Sequence, residues 1–157
     1  MAIAPPFTLR PVTSADESFL FSLYASTRAE ELAVLGWDAA MQDNFLRMQF
    51  RAQQMGYRAQ FPNSDRYIVV ANPDPVGSAW VDRRPDEIRL VDLALLPDVR
   101  NQGIGTQILQ DLIAEAAIAH LPFRLQVVKG NRAIHLYNRL GGKQIGETDT
   151  HIHMEWL

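Results

Sequence analysis

The stretch from Leu90 to Thr106, LVDLALLPDVRNQGIGT, constrains this chain more than any other. An apolar run that ends at a proline reads as a buried strand and a turn, followed by a glycine-bearing loop and a helix from about Thr106. Ile108, Leu109, Leu112, Ile113, Ala116 and Ala117 recur at the spacing of one apolar helix face. A helix start leaves backbone N–H groups without partners and carries the positive end of the helix dipole. Gly103 and Gly105 remove side chains that would hold a ligand away from those groups. Such a turn either binds an anion, most often phosphate, or simply joins a strand to a helix.

The loop fails two tests for common phosphate ligands. A P-loop ends in Gly-Lys-Ser/Thr, whereas Gly105 is followed by Thr106 and Gln107. A dinucleotide fingerprint needs a third small residue where this chain has Ile108. What remains is Arg-x-x-Gly-x-Gly, from Arg100 to Gly105. Further on, NRAIHLYNRLGG runs from Asn131 to Gly142, with room for one helix and one strand in between. The first pattern resembles the acyl-CoA pyrophosphate loop of the GNAT superfamily of N-acetyltransferases. The second resembles that family's Asn-x-Ala-x-x-Leu-Tyr-x-Arg/Lys-Leu-Gly-Phe, with Gly142 in place of the final phenylalanine. The resemblance covers Ile88 to the C-terminus and reaches the first half only in its order of elements.

Composition narrows the function classes. A length of 157 residues suits one domain, 1–157, with a sizeable core. A net charge of −3 offers no basic field for nucleic acid, and the absence of cysteine excludes disulfides, thiolate metal sites and a cysteine nucleophile. The start, Met-Ala-Ile-Ala-Pro-Pro, lacks the basic and apolar regions of a secretory leader. No apolar run is long enough to span a bilayer. A cytoplasmic protein without a membrane partner is the expectation.

Taken in order, Phe7–Arg10 reads as a strand, and Ser14 to Glu17 as a capping box opening a helix with Phe19, Leu20, Leu23 and Tyr24 inward. Asp38 caps a second helix, whose expected core seam is Met41, Phe45, Met48, Ala52 and Met55. Asp65–Ala71, Val76–Asp82 and Glu87–Leu96 form an antiparallel meander, with the turn at 72–75 between the first two. The helix after the glycine loop returns the chain to a strand containing Phe123, Leu125 and Val127, and a right-handed crossover makes this strand parallel to the central one. Asn131 caps a short helix ended by Gly141, and Ile152, Met154 and Trp156 alternate in a closing strand. The fold class is α+β: a mixed, mostly antiparallel sheet with one parallel strand pair, flanked by helices, as the GNAT resemblance also implies.

The resemblance implies acetyl-CoA as co-substrate, an amine acceptor and no metal. Its pyrophosphate would lie on Arg100, Asn101, Gln102, Gly103, Ile104, Gly105 and Thr106. Its pantetheine arm would run along Leu93, Ala94 and Leu95, with Asn131 and Tyr137 across the gap. Tyr137 corresponds to the family's general acid, and Asp92, beside the expected reaction centre, is a candidate base acting through water. Glu30 and Glu31 fall where the family places acceptor-site residues, and Trp37 and Tyr57 are candidates for the acceptor pocket, with core packing the rival reading for the two aromatics. Lys129 and Arg132 are candidates for the CoA 3′-phosphate. His151 and His153 share a strand face but lack the companions that a metal site needs. The rival classes are an acyl-CoA-binding module without turnover and an interaction domain whose loop holds no ligand. The acceptor, the acyl-chain preference and the choice between monomer and homodimer stay open.

Overall fold

The computed structural model describes residues 5–157; the N-terminal Met-Ala-Ile-Ala considered above for a leader lies outside them. Among the described residues seven strands form one sheet in the order β1-β2-β3-β4-β5-β7-β6. They are β1 (Thr8–Pro11), β2 (Asp65–Ala71), β3 (Asp74–Arg83), β4 (Ile88–Leu95), β5 (Phe123–Val128), β6 (Lys143–Glu147) and β7 (His151–Trp156). Of these, only β4 and β5 pair in parallel; every other neighbouring pair is antiparallel. Four helices of the described residues flank the sheet: α1 (Glu17–Ala33), α2 (Ala39–Gln60), α3 (Ile104–Ile118) and α4 (Ala133–Arg139). Among the described residues no helix is long and apolar enough to cross a membrane.

The crossover helix α3 buries Ile104, Ile108, Leu109, Leu112 and Ala116 against Ile88, Leu90, Phe123, Leu125 and Met154, the larger of two core clusters. On the opposite face Leu20 of α1 and Phe50 of α2 meet Ile68 of β2. Parity along β2 therefore puts Arg66 on the α1/α2 face with Ile68. Strand register extends that row, because Arg66 lies opposite Trp80 and Trp80 opposite Asp92.

Two features of β4 open a gap in the sheet. Val81 faces Leu90 and Trp80 faces Asp92, so Val91 is an extra residue, a bulge that bends the strand. The parallel ladder with β5 stops at Leu90–Leu125, although β4 continues to Leu95 and β5 to Val128. The two strands part at the bulge.

The structure corrects the sequence reading at several points. The capping box sits one residue earlier than expected: the Thr13 N–H donates to Asp16 Oδ2 at 2.8 Å, and Arg10 grips both carboxylate oxygens at 2.8 and 2.9 Å. These partners hold the Asp16 carboxyl at about 2, so the motif's acid is Asp16 and not Glu17. Asp74 and Pro75, expected in a turn, belong to β3. The strand β6 escaped the reading because it lies at the sheet edge with every residue exposed, and so carries no apolar alternation. The helix α3 starts at Ile104, not at Thr106.

The methionine seam is the largest correction. Met41, Met48 and Met55 are 51%, 60% and 72% exposed, while α2 buries Leu46, Phe50 and Gln54. Positions 41, 45, 48, 52 and 55 do share one helix face, but it is the outer one. The inward side is shorter in apolar residues because it includes Gln54, whose carboxamide oxygen accepts from Arg66. Replacing Met48 with lysine should therefore change unfolding free energy by no more than about 0.5 kcal/mol, whereas Phe50→Ala should cost about 3–5 kcal/mol. Denaturant unfolding checks both values, and a large loss for Met48→Lys would return the seam to the core.

Candidate active site

The parting of β4 and β5 opens a cavity of about 180 Å³ between them, lined by Leu90, Val91, Asp92 and Leu93 on one side and by Leu125 to Val128 on the other. Tyr57 of α2, Asn131, Tyr137 of α4 and His151 of β7 complete the wall. Each reaches the gap for a local reason. Asp38 caps α2 by accepting the Met41 N–H at 2.8 Å, and Tyr57 sits in the last turn of that helix, edge-on to Trp80 at 5.2 Å. Asn131 Oδ1 accepts the Ala133 N–H at 2.9 Å and so starts α4, which carries Tyr137. Gly141, at φ +95°, stops that helix, and the Gly142 N–H closes it on the Tyr137 carbonyl at 3.0 Å.

Gly142 explains the missing phenylalanine. A Cβ there would stand 2.5 Å from the indole ring of Trp156. Trp156 fills the volume instead: its Nε1 donates to the Leu140 carbonyl at 3.0 Å, and its ring packs edge-on to Tyr137 at 6.2 Å. The apolar support of α4 thus comes from the last strand.

Four groups in and behind the cavity influence one another. Burial pushes the Asp92 carboxyl above the usual carboxylate range, against the charge of Arg66 and the Leu93 N–H. Tyr57 is pushed up to about 12, mainly by burial and next by the charge of Asp92. Tyr137 is raised by the same causes in the same order. Behind Asp92, Arg66 stacks over Trp80 at 4.4 Å from the ring centroid, and burial lowers it to about 10. A carboxylate and two phenols, all raised above their usual pKa values, thus line one cavity.

Below the cavity lies the glycine loop. Asn101 (φ 62°) and Gly103 (φ 91°) take left-handed backbone angles that aim the chain into α3. Among the described residues no side chain caps α3, and its first bond runs from the Gln107 N–H to the Gly103 carbonyl at 2.9 Å. The N–H groups of Ile104, Gly105 and Thr106 are therefore free for an anion. A Cβ at Gly105 would meet the Leu95 and Leu93 side chains at 3.7 and 3.9 Å, ordinary van der Waals contact. Arg100 folds back, its Nε donating to the Leu95 carbonyl at 3.0 Å, and Gln102 spans the loop to the Asp98 carbonyl at 3.0 Å.

Other sequence-predicted residues lie elsewhere. Glu31 is on the exposed face of α1, paired with Arg28 at 2.9 Å, and Trp37 packs edge-on to Phe45 at 5.3 Å. Neither is part of the cavity wall. Lys129 pairs with Glu147 at 2.7 Å, and Arg132 is exposed at the start of α4. His151 reaches the cavity wall with its Nδ1 against Thr150 Oγ1 at 2.7 Å, while His153 Nε2 is buried without a partner among the described residues. Among the described residues no group of three or more His, Asp or Glu side chains is placed for a metal ion. The sequence reading missed Arg66, Trp80, Gln126 and the placement of His151, since only strand register and packing bring them here.

The ionisation of Asp92 has a measurable consequence. Its pKa in the fold lies above the unfolded value of about 3.9, so the ionised form costs the folded state free energy at neutral pH. That cost is absent well below pH about 4 and grows as pH rises toward the folded pKa. Asp92→Asn should therefore raise the melting temperature at pH 7, and the gain should vanish on acidification below about pH 4. Thermal melts of both proteins across pH check this; a lower melting temperature for Asp92→Asn at pH 7 would show Asp92 to be a stabilising ion-pair partner of Arg66.

Comparison with known proteins agrees with this geometry. Residues 31–142, more than half of the chain, match the Acetyltransferase (GNAT) family. Over 75 residues the chain is 36% identical to mouse thialysine N-epsilon-acetyltransferase, covering 46% of this chain and 42% of that protein, so it spans less than half of that relative's length. The fold resembles the PaiA N-acetyltransferase of Thermoplasma acidophilum in complex with coenzyme A, with a TM-score of 0.71, 16% identity, and coverage of 96% of this chain and 98% of that one. An acetyltransferase from Thermus thermophilus superposes with a TM-score of 0.67 at 17% identity, over 98% and 99% of the two chains. With the family match added to the parted strands and the open start of α3, this chain belongs to the GNAT acetyltransferase family.

Proposed function

We propose that this acetyltransferase moves an acetyl group from acetyl-CoA to a primary amine by direct attack, with Tyr137 as general acid and Asp92 as the base that takes the amine's proton through water. The observation that carries the reading is that both side chains face one cavity where β4 and β5 part. The complex of the PaiA enzyme with coenzyme A supports the choice of co-substrate.

In this reading the CoA pyrophosphate accepts from the free N–H groups of Ile104, Gly105 and Thr106, with Asn101, Gln102 and Gly103 shaping the loop. The Nη groups of Arg100, left over from its bond to Leu95, supply a positive charge. The pantetheine arm runs along the part of β4 that β5 leaves unpaired, Leu93 to Leu95, and Asn131 and Tyr137 face it across the gap. The thioester carbonyl carbon then lies near Asp92.

The chemistry is balanced by the groups present. The neutral amine attacks the carbonyl carbon, a C–N bond forms, and the C–S bond breaks. The proton lost by nitrogen passes through water to Asp92, whose raised pKa makes it a stronger base than an ordinary carboxylate. The departing thiolate takes a proton from the Tyr137 phenol, which is protonated at neutral pH at its ordinary pKa of about 10 and is raised further by burial. No enzyme nucleophile is required, and orientation of the two reactants supplies much of the rate.

Acetyl-CoA should raise the melting temperature by mass action, and Arg100→Ala should weaken its binding about tenfold while the fold persists. Calorimetry on both proteins tests this; equal affinity would leave Arg100 as a staple for the end of β4 and nothing more.

Tyr137→Phe keeps the ring against Trp156 and removes only the donor. Because the leaving thiolate has a conjugate acid of pKa about 8.5, its protonation helps without being indispensable. A fall in kcat on the order of 10²-fold is expected, with acetyl-CoA affinity nearly unchanged, as for an interaction formed in the transition state. Thiol release with an accepted amine provides the measurement. Wild-type turnover in Tyr137→Phe would remove Tyr137 from the mechanism.

A further inference from the structure

A second cavity, of about 290 Å³, adjoins the first and shares Tyr57, Leu90, Val91, Gln126 and His151 with it. The two differ in charge. Asp92 is the acidic group in the wall of the first, while the second adds Gln60, Phe61 and Arg89, and no carboxylate of the described residues lines it. The two adjoining cavities therefore carry a carboxylate in the wall of one and a guanidinium in the wall of the other.

Arg89 is set in place before any ligand arrives. Its Nε and Nη2 donate to Glu87 at 2.6 and 3.3 Å, and Glu87 also takes Arg124 Nη1 at 3.0 Å. Arg124 also donates its Nε to Glu155 at 2.8 Å, so the two guanidiniums face two carboxylates, and what remains open is the Arg89 Nη1, which has no hydrogen-bond partner among the described residues. A planar guanidinium held on one edge presents its remaining N–H groups at little further entropic cost. His151, anchored through Nδ1 to Thr150, and the carboxamides of Gln60 and Gln126 add polar groups around it.

We infer that the acceptor is an amine that also carries a carboxylate, its nitrogen directed to Asp92 and its carboxylate to Arg89. The inference rests on the transfer reaction proposed above. A diamine would place its distal ammonium beside Arg89, where no wall carboxylate can receive it. A simple alkylamine would leave the open Nη1 edge of Arg89 unmatched. An amine with a carboxylate satisfies both ends, and the cavity volume suits a small molecule.

The test uses the full chain and three amines of equal length: δ-aminovalerate, pentylamine and cadaverine. Binding is read by calorimetry on CoA-saturated protein and turnover by thiol release, so a failure of the transfer chemistry and a failure of carboxylate recognition appear in different measurements. The wild type should bind δ-aminovalerate at least about tenfold more tightly than either carboxylate-free amine. Arg89→Met should weaken that binding on the order of 10–100-fold, the range for a hydrogen bond to a charged group, and leave pentylamine and CoA binding unchanged. Arg89→Lys, which retains the charge next to Glu87, should lose less. Lysine and a Gly-Gly-Lys peptide, each compared with its carboxamide, distinguish a free amino acid from a peptide end as the source of the carboxylate; a carboxylate advantage in either pair supports the inference. Cadaverine or pentylamine binding as tightly as δ-aminovalerate overturns it, as does an undiminished preference in folded Arg89→Met. The wild-type comparison decides the matter without either variant.

Discussion

The site depends on two strands that stop pairing. Parallel neighbours normally continue their ladder for as long as both remain extended, because an unpaired N–H or C=O in the interior is costly. Here β4 acquires an extra residue at Val91, directly after its last bond with β5, and the bulge turns its end away. The freed backbone of β4 becomes available to a ligand, and the gap it leaves is the cavity. The crossover helix α3 holds the two strands together below the gap through Ile104, Ile108 and Leu112, so the opening stays local.

The second consequence of the bulge is electrostatic. After Val91 the faces of β4 exchange, which places Asp92 in the row with Trp80 and Arg66 on the α1/α2 side. Helix α2 closes this side with Tyr57 against Trp80 and Gln54 against Arg66. The carboxylate is enclosed enough for burial to outweigh the pull of Arg66. The same burial raises the pKa of Tyr57 and Tyr137. A single change in strand parity thus puts a carboxylate in the row with Arg66, on the wall that Tyr57 and Tyr137 complete.

Two segments far apart in the sequence are tied down by different means. At the C-terminus Trp156 occupies the space beside Gly142, bonds to the Leu140 carbonyl and supports the ring of Tyr137. At the N-terminal side, Asp16 ties Arg10 of β1 to the turn that starts α1. The exposed methionines of α2 take no part in either arrangement, since the opposite face of that helix packs on the sheet.

Local chemistry was legible in the sequence where it is dictated by short-range physics. The glycine loop and the start of α3, the Asn131 cap, the Gly141 stop and the meander follow from backbone conformation, capping and alternation within a few residues. The reading there also singled out Tyr137 and Asp92, which lie on the wall of one cavity. Position relative to the rest of the molecule was not legible. Which face of α2 turns inward is decided by what the sheet offers it, and Arg66 draws Gln54 inside while Met48 stays in solvent. The bulge at Val91, the row from Arg66 to Asp92 and the approach of His151 and Arg89 to one groove arise from register between strands distant in sequence. No periodicity within a single segment records that register, because each strand fits either pairing until the others are in place.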